Sequence, residues 1–96
     1  MRSMSRWLTG LVSLACVASS PLAADRVKIG FLSTLTGPAA FLGKEMVNGA
    51  QLALEEEGGR MGGLPVQLIV EDDQEDPKTG VQKAHKLLES DKVDIL

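Results

Sequence analysis

Short apolar runs alternate with amphipathic stretches along most of this chain, and that alternation limits the folds open to it. The runs 27–32 and 65–71 are β-branched and apolar, as buried strands are, and 92–96 begins a third such run. Between them, the stretches 44–57 and 77–89 carry apolar residues at helical spacing. Strands that alternate with helices form parallel βαβ units with right-handed crossovers. The sequence therefore predicts an α/β fold, the start of a doubly wound parallel sheet in the order βαβαβ.

The ends and the inner sides of both predicted helices are marked in the sequence. Gly58 and Gly59 end the first helix, and Asp76 with Pro77 is an N-cap and N1 pair that begins the second. The apolar side of the first helix contains Met46, Val47, Ala50, Ala53 and Leu54. The apolar side of the second helix contains Val81, Ala84, His85 and Leu88. We expect these two sides to face the sheet.

The first 24 residues have the order of a secretory signal peptide. Arg2 and Arg6 form a short positive region, 7–17 is mostly apolar, and a segment of small residues follows. The apolar part is shorter than the roughly 20 residues that span a bilayer. We expect cleavage after Ala24 and a periplasmic protein, with a buried N-terminal helix as the alternative. Cleavage before Cys16 would instead anchor the chain through a lipidated cysteine.

Removal of residues 1–24 leaves 8 basic and 13 acidic residues, because two of the 10 basic residues belong to the signal peptide. The resulting net charge of about −5 argues against a nucleic-acid partner, as does the presence of only two aromatic residues, Phe31 and Phe41. The segment 25–96 is marginal in length for a domain, and 92–96 stops within a predicted strand. We therefore expect the N-terminal part of a longer domain, with a naturally small domain as the alternative.

The sequence after residue 24 contains no complete motif for catalysis or nucleotide binding. No glycine-rich nucleotide loop follows the first strand, which argues against a nucleotide cofactor. His85 is the only histidine, and no cysteine or nucleophile elbow accompanies it after residue 24, so no catalytic residues are predicted. The acidic run 71–76 lacks the glycine and the spacing of a calcium loop. We interpret it as a solvated loop whose last acid caps a helix, with a hard-cation site as the alternative.

The segment 33–43 is the best candidate for a binding site, because ligands of open parallel sheets lie beyond the carboxyl ends of the strands. The segment 72–76 follows the second strand at the same edge. Hydroxyl and N–H groups near a helix start hold a carboxylate, and apolar neighbours cover the rest of a small solute. Ordinary loop packing explains the same residues equally well. The hydroxyls belong to Ser33, Thr34 and Thr36, and the apolar side chains to Leu35, Phe41 and Leu42.

Several motifs, taken together and in order, resemble the periplasmic leucine/isoleucine/valine-binding protein family. The resemblance extends over essentially all of 25–96 and is far more specific than any single motif. The stretches that carry it are 27–30, 35–43 (LTGPAAFLG), 48–50, 62–66, 71–77 and 92–96.

The resemblance implies the type I periplasmic binding fold, in which two α/β lobes close on a solute. Residues 25–96 are then the N-terminal part of the first lobe. It implies neither catalysis nor a cofactor or metal, and it implies an inner-membrane ABC permease as partner. The expected function is that of the exported, monomeric solute-binding component of an ABC importer. Its expected solutes are branched-chain amino acids or related organic acids, aromatic acids included.

The resemblance also indicates which residues meet the solute. In the family, the residue before the last glycine of the Gly-Pro-x-x-x-x-Gly loop reaches the solute and is often aromatic; here it is Leu42. That departure, with the motifs at 62–66 and 72–74, is closer to members that take up aromatic or other organic acids. A sensory domain of the same fold and an exported enzyme with catalytic residues beyond Leu96 remain alternatives. The predicted ligand-binding residues are Leu42, Phe41, Leu35, Ser33 and Thr36.

Overall fold

The computed structural model describes residues 25–96, so the predicted signal peptide and Cys16 lie outside the described residues. The elements are β1 Val27–Ser33, α1 Ala40–Glu56, β2 Arg60–Met61, β3 Leu64–Asp72, α2 Pro77–His85 and a π-helical turn Lys86–Ser90. The predicted strands and helices up to α2 follow in the predicted order. The short β2, between the end of α1 and β3, is an addition.

β1 and β3 form the main pair of the sheet and run parallel, with Ser33 opposite Asp72 at their carboxyl ends. This pairing confirms the predicted βαβ unit, in which α1 is the crossover. β2 pairs antiparallel with the start of β3, so the sheet order is β1-β3-β2. The hairpin turns through Gly62 and Gly63, whose φ angles are 58° and 81°. Positive φ at both turn positions matches the twist of the flanking strands and favours glycine.

Residues 92–96, predicted as the start of a third strand, lie parallel to β1, but none of them is buried within 25–96. They make a single parallel bridge, between Ile95 and Ile29, in which Gly30 N donates to Ile95 O at 2.8 Å. Ile95 is 47% exposed, because only β1 lies beside it among residues 25–96. Its position is nevertheless informative: it lies on the side of β1 opposite β3, so β1 has a parallel neighbour on each side, as in doubly wound sheets.

Helix α1 begins at Ala40 and not at the predicted position 44, so the turn after the Gly-Pro pair is continuous with the helix. Only Gly43 and Val47 of this helix are buried. Met46 and Ala53, predicted for the inner side, are exposed. The reason is the narrow sheet below: α1 packs on β1 and β3, which cover a thin stripe of the helix surface.

Asp76 caps α2 as predicted, accepting a hydrogen bond from Thr79 N at 2.8 Å, and Pro77 follows it at the helix start. The cap satisfies one of the amide groups that a helix start leaves without a partner. The predicted N-terminus of α2 is therefore confirmed in its residues and in its mechanism.

The inner side of α2 differs from the predicted one. Leu87, in the π-helical turn, is fully buried, whereas Val81 and Leu88 are exposed. Lys83 contacts Glu71 of β3, with Nζ 3.0 Å from the carboxylate, which turns its side of the helix toward the sheet. A rotation of about one residue separates the observed inner side from the predicted one, since neighbouring residues are about 100° apart on a helix of 3.6 residues per turn.

The two helices cover opposite faces of the sheet. Side chains alternate along a strand, so Phe31 and Leu68 on one face line a groove of about 480 Å³ beside α1, and Glu71 on the other face contacts α2. Within 25–96, the buried apolar side chains are Val47 and Leu87, one on each helical segment. No helix in this range combines the length and apolarity that a membrane crossing requires.

Candidate functional site

The carboxyl ends of β1 and β3 lie side by side because the strands are parallel and in register. Asp73 N donates a hydrogen bond to Ser33 O at 3.1 Å, which extends the pairing one residue beyond the strands. The loop 34–39 leaves β1 at this edge and the turn 73–76 leaves β3. We call the segments 33–43 and 72–75 together the carboxyl edge. It is the place where ligands of open α/β sheets bind.

Asp72 reaches from the end of β3 to the loop that follows β1. Its Oδ1 accepts hydrogen bonds from Leu35 N and from Gln74 N, both at 2.8 Å, and its Oδ2 accepts one from Thr36 Oγ1 at 2.9 Å. The N–H of Leu35, and after it that of Gln74, lowers the pKa of the Asp72 carboxyl, because both bonds favour the ionised form. The ionised Asp72 carboxylate therefore connects the two segments of the carboxyl edge.

Asp73 makes a second connection next to the first. Its Oδ1 accepts from Thr34 Oγ1 at 2.7 Å and from Glu75 N at 2.9 Å. Together, Asp72 and Asp73 bind groups of three consecutive loop residues, 34 to 36. We call this pair of carboxylates the acidic clasp. Its bonds link parts of the chain that lie far apart in sequence.

The turn that carries the acidic clasp has an unusual backbone. Gln74 and Glu75 both have positive φ, 56° and 57°, although neither is glycine. Such conformations cost on the order of 1 kcal/mol or more each. The Glu75 side chain lies against Gly37 of the loop: a Cβ at Gly37, whose φ is +91°, would stand 2.8 Å from Glu75 Oε2. Loop and turn are thus fitted closely to each other.

Gly43 allows the start of α1 to lie directly on the loop. A Cβ at this position would stand 1.7 Å from Thr34 O, far inside contact distance. Ser33 lies below, 6% exposed, and its Oγ donates to Gly43 O at 3.4 Å. The hydroxyl of Ser33 is therefore used within the fold. Its predicted contact with a solute stays a prediction.

The apolar side chains predicted for the site lie at the rim of the same edge. Phe41 is 65% exposed and Leu42 is 56% exposed, both in the first turn of α1. Leu35 is half-buried in the loop, and Thr36 is exposed although its hydroxyl bonds to Asp72. The structure thus brings the five predicted residues to one edge, with Phe41 and Leu42 the most open of them.

The helix start beside these side chains is electrostatically suited to an anion. α1 has no side-chain cap and no acidic residue in its first turn. The positive end of its dipole is therefore not offset by a carboxylate of that turn. The positive end of a helix dipole favours a negatively charged group near this point.

Glu71 and His85 make their polar contacts away from this edge. Glu71 pairs with Lys86 and Lys83 on the α2 face; these bonds, that of Lys86 first, lower the pKa of the Glu71 carboxyl. His85 Nδ1 lies 3.1 Å from Glu89 Oε1, and both side chains are exposed on the helix surface. No group of three or more His, Cys, Asp or Glu side chains within 25–96 is arranged to hold a metal ion.

The acidic clasp is the feature that sequence reasoning missed. The run 71–76 was expected to be a solvated loop with a terminal cap, and for Asp76 the cap is confirmed. Asp72 and Asp73 differ from that expectation, since both are half-buried and fold back onto the loop after β1. A usable signal existed: paired acids and a hydroxyl-rich loop, at the carboxyl ends of strands predicted to be parallel.

Sequence comparison identifies relatives of the whole described segment. A family profile described as periplasmic binding protein matches residues 26–96. A Leu/Ile/Val-binding protein of Rhizobium johnstonii is 39% identical over 77 residues, which are 78% of this chain and 21% of the relative. A leucine-, isoleucine-, valine-, threonine- and alanine-binding protein of Pseudomonas aeruginosa is 34% identical over 83 residues, 84% of this chain and 22% of the relative. The chain spans about a fifth of the length of these curated relatives.

Solved structures of the same kind superpose on the chain. An ABC transporter substrate-binding protein from Sphaerobacter thermophilus matches with a TM-score of 0.68 and 40% identity, covering 71% of this chain and 18% of that one. A solute-binding protein of an ABC transporter from Rhodopseudomonas palustris, solved with 3,4-dihydroxybenzoic acid, matches with a TM-score of 0.68 and 30% identity. That match covers 72% of this chain and 19% of the other.

Proposed function

The chain belongs to the periplasmic binding protein family, and from that premise we propose that it forms the start of the first lobe of an exported solute-binding protein. In this proposal the protein delivers a small carboxylate to an ATP-driven permease in the inner membrane. The observation that carries the proposal is the exposed pair Phe41 and Leu42 at the carboxyl edge of a chain with this family membership. A cleft between two lobes needs apolar side chains that their own lobe leaves uncovered.

The proposed solute is an amino acid or organic acid with a carboxylate and an apolar body. The uncapped start of α1 favours the carboxylate, and the neighbouring Phe41 and Leu42 offer apolar surface for the body. Branched-chain amino acids are suggested by the names of the curated relatives. Aromatic acids are suggested by the Rhodopseudomonas palustris structure with 3,4-dihydroxybenzoic acid.

Export to the periplasm, a permease partner and the absence of catalysis belong to the same proposal. The order of charge, apolar run and small residues in 1–24 supports export to the periplasm. A permease partner is supported by the structural relatives, which are substrate-binding proteins of ABC transporters. We propose that the protein acts as a monomer, binds its solute and releases it unchanged, with no enzymatic role.

Isothermal titration of the complete gene product that carries this chain tests the proposal. The solutes to be used are leucine, isoleucine, valine, benzoate and 3,4-dihydroxybenzoate, with leucinamide and benzamide as controls that lack the carboxylate. We expect saturable binding of at least one acid and no binding of its amide. Binding of none of these acids at millimolar concentration, or conversion of a bound acid to another compound, would contradict the proposed function.

A matched pair of variants tests the contribution of the rim. Leu42→Ala removes an apolar side chain from the proposed cleft, whereas Met46→Ala removes a similarly exposed side chain one turn further along α1. Burying a Leu side chain against a ligand contributes on the order of 1.5 kcal/mol or more. We expect Leu42→Ala to weaken solute binding about tenfold and Met46→Ala to leave it unchanged. Equal solute affinities of the two variants would show that Leu42 does not contribute to the site.

A further inference from the structure

The loop before the exposed side chains of Phe41 and Leu42 is held mainly by hydrogen bonds to residues outside its own segment. Residues 34 to 36 each donate a hydrogen bond to the acidic clasp, whose carboxylates belong to the end of β3 and to the turn after it. We propose that Asp72 is a positioning residue for solute binding, which holds this loop and thereby the start of α1 in the conformation that presents Phe41 and Leu42. The inference rests on the proposed function, because it concerns the same cleft.

Three hydrogen bonds converge on the single Asp72 carboxylate. Leu35 N and Thr36 Oγ1 are bound from the loop, and Gln74 N holds the carboxylate from its own turn. Of these, the bond from Leu35 N is a backbone bond, so it fixes the path of the chain and not only a side chain. From the loop, Asp73 accepts only the bond of the Thr34 hydroxyl, and its other bond comes from Glu75 N in its own turn. Asp72 is therefore the stronger of the two positioning groups.

The bonded residues lie immediately before the helix that bears the rim. One residue after Thr36, Gly37 O accepts a hydrogen bond from Ala40 N at 3.1 Å, and α1 begins there. A shift at Leu35 or Thr36 is thus passed through a tight turn to Phe41 and its neighbour. Even a small displacement of these side chains matters, because binding groups that are misplaced by about 1 Å lose much of their effect.

The strained turn after β3 supports the same reading. Gln74 and Glu75 adopt the left-handed conformation, and each donates its N–H to an acid of the clasp. The conformation places Asp72 and Asp73 where both carboxylates reach the loop. Strain of this kind is kept where surrounding contacts over-determine it, which is common at binding sites.

Paired alanine variants in the complete gene product separate positioning from stability. Asp72→Ala removes the bonds to the loop, while Asp76→Ala removes the cap of α2 in the same turn and touches no loop residue. Affinity for the best acid of the panel is measured by titration at a temperature at which both variants are fully folded. We expect about tenfold weaker binding for Asp72→Ala and unchanged binding for Asp76→Ala. Equal affinity of the two variants overturns the inference.

Hydrogen exchange and a conservative variant complete the test. We expect amides of 34–42 to exchange faster in Asp72→Ala and not in Asp76→Ala. Asp72→Asn keeps an oxygen that accepts from Leu35 N and Gln74 N, so it should restore most of the affinity and the slow exchange. If the wild-type protein binds no acid, the proposed function fails by itself, and exchange of 34–42 still decides whether Asp72 holds the loop. Unchanged exchange in Asp72→Ala overturns the inference in either case.

Discussion

Replacement of Gly43 by alanine is expected to destabilise the protein, although alanine is the better helix former. The added Cβ would stand 1.7 Å from Thr34 O, and ordinary contact begins at 3.4 Å, so helix and loop must separate by about 1.7 Å. Overpacking of this kind costs up to about 3 kcal/mol, and the helical preference of alanine returns about 1 kcal/mol. The expected net loss in the free energy of unfolding is therefore about 2 kcal/mol.

Gly49 in the same helix provides the matched control. A Cβ at Gly49 meets nothing within 4 Å, so Gly49→Ala changes the helix propensity without a clash. We expect it to stabilise the protein by about 0.5–1 kcal/mol. Urea denaturation of the complete gene product, followed by far-ultraviolet circular dichroism, measures both variants against the wild type. If Gly43→Ala proves as stable as Gly49→Ala, the close approach of α1 to the loop is not a feature of the folded protein.

Acid should destabilise the protein through carboxyls whose pKa is lowered in the folded state, and Glu71 is one of them. Such a group contributes its full stabilisation above its unfolded pKa of about 4. The contribution is lost as the pH falls through the folded pKa. The difference in urea midpoint between the wild type and Glu71→Gln should therefore shrink between pH 6 and pH 3; a constant difference would contradict the role of the Lys83 and Lys86 bonds. Processing in a bacterial host should yield a mature chain that starts at Asp25, as read by mass spectrometry of its N-terminal peptide. A lipidated N-terminus at Cys16 would refute the predicted cleavage site.

Local patterns were sufficient for the parts of the fold that depend on neighbouring residues. The helix start at Asp76 and Pro77 was predicted correctly, because a cap and its amide partner lie within three residues. The parallel pair of β1 and β3 was also predictable, since strands that alternate with helices along a chain indicate βαβ units and a parallel sheet. The rule that ligands lie beyond the carboxyl ends of parallel strands predicts the carboxyl edge as the site, and the family resemblance indicates the same segment.

Features that depend on distant contacts were not predictable in the same way. Leu87 and Leu88 are adjacent and chemically identical, and only the packing of α2 on the sheet decides which is buried. The apolar run at 92–96 looks like a strand, yet its single bridge reflects how few neighbours surround it. The hydrogen bonds that Leu35 and Thr36 donate to Asp72 join residues that are remote in sequence, so no periodicity or short motif predicts them.

The parallel register of β1 and β3 also sets the order in which this segment assembles. Val27 pairs with Val66, so the pairing closes a long stretch of chain at an entropic cost of about 3 kcal/mol. α1 and the hairpin of β2 with β3 need only local contacts and form within microseconds. β1, although synthesised first, must therefore wait for the later strand to arrive. Until then its backbone groups are open to other chains, so the interval before β3 pairs with β1 leaves this segment exposed to misassembly.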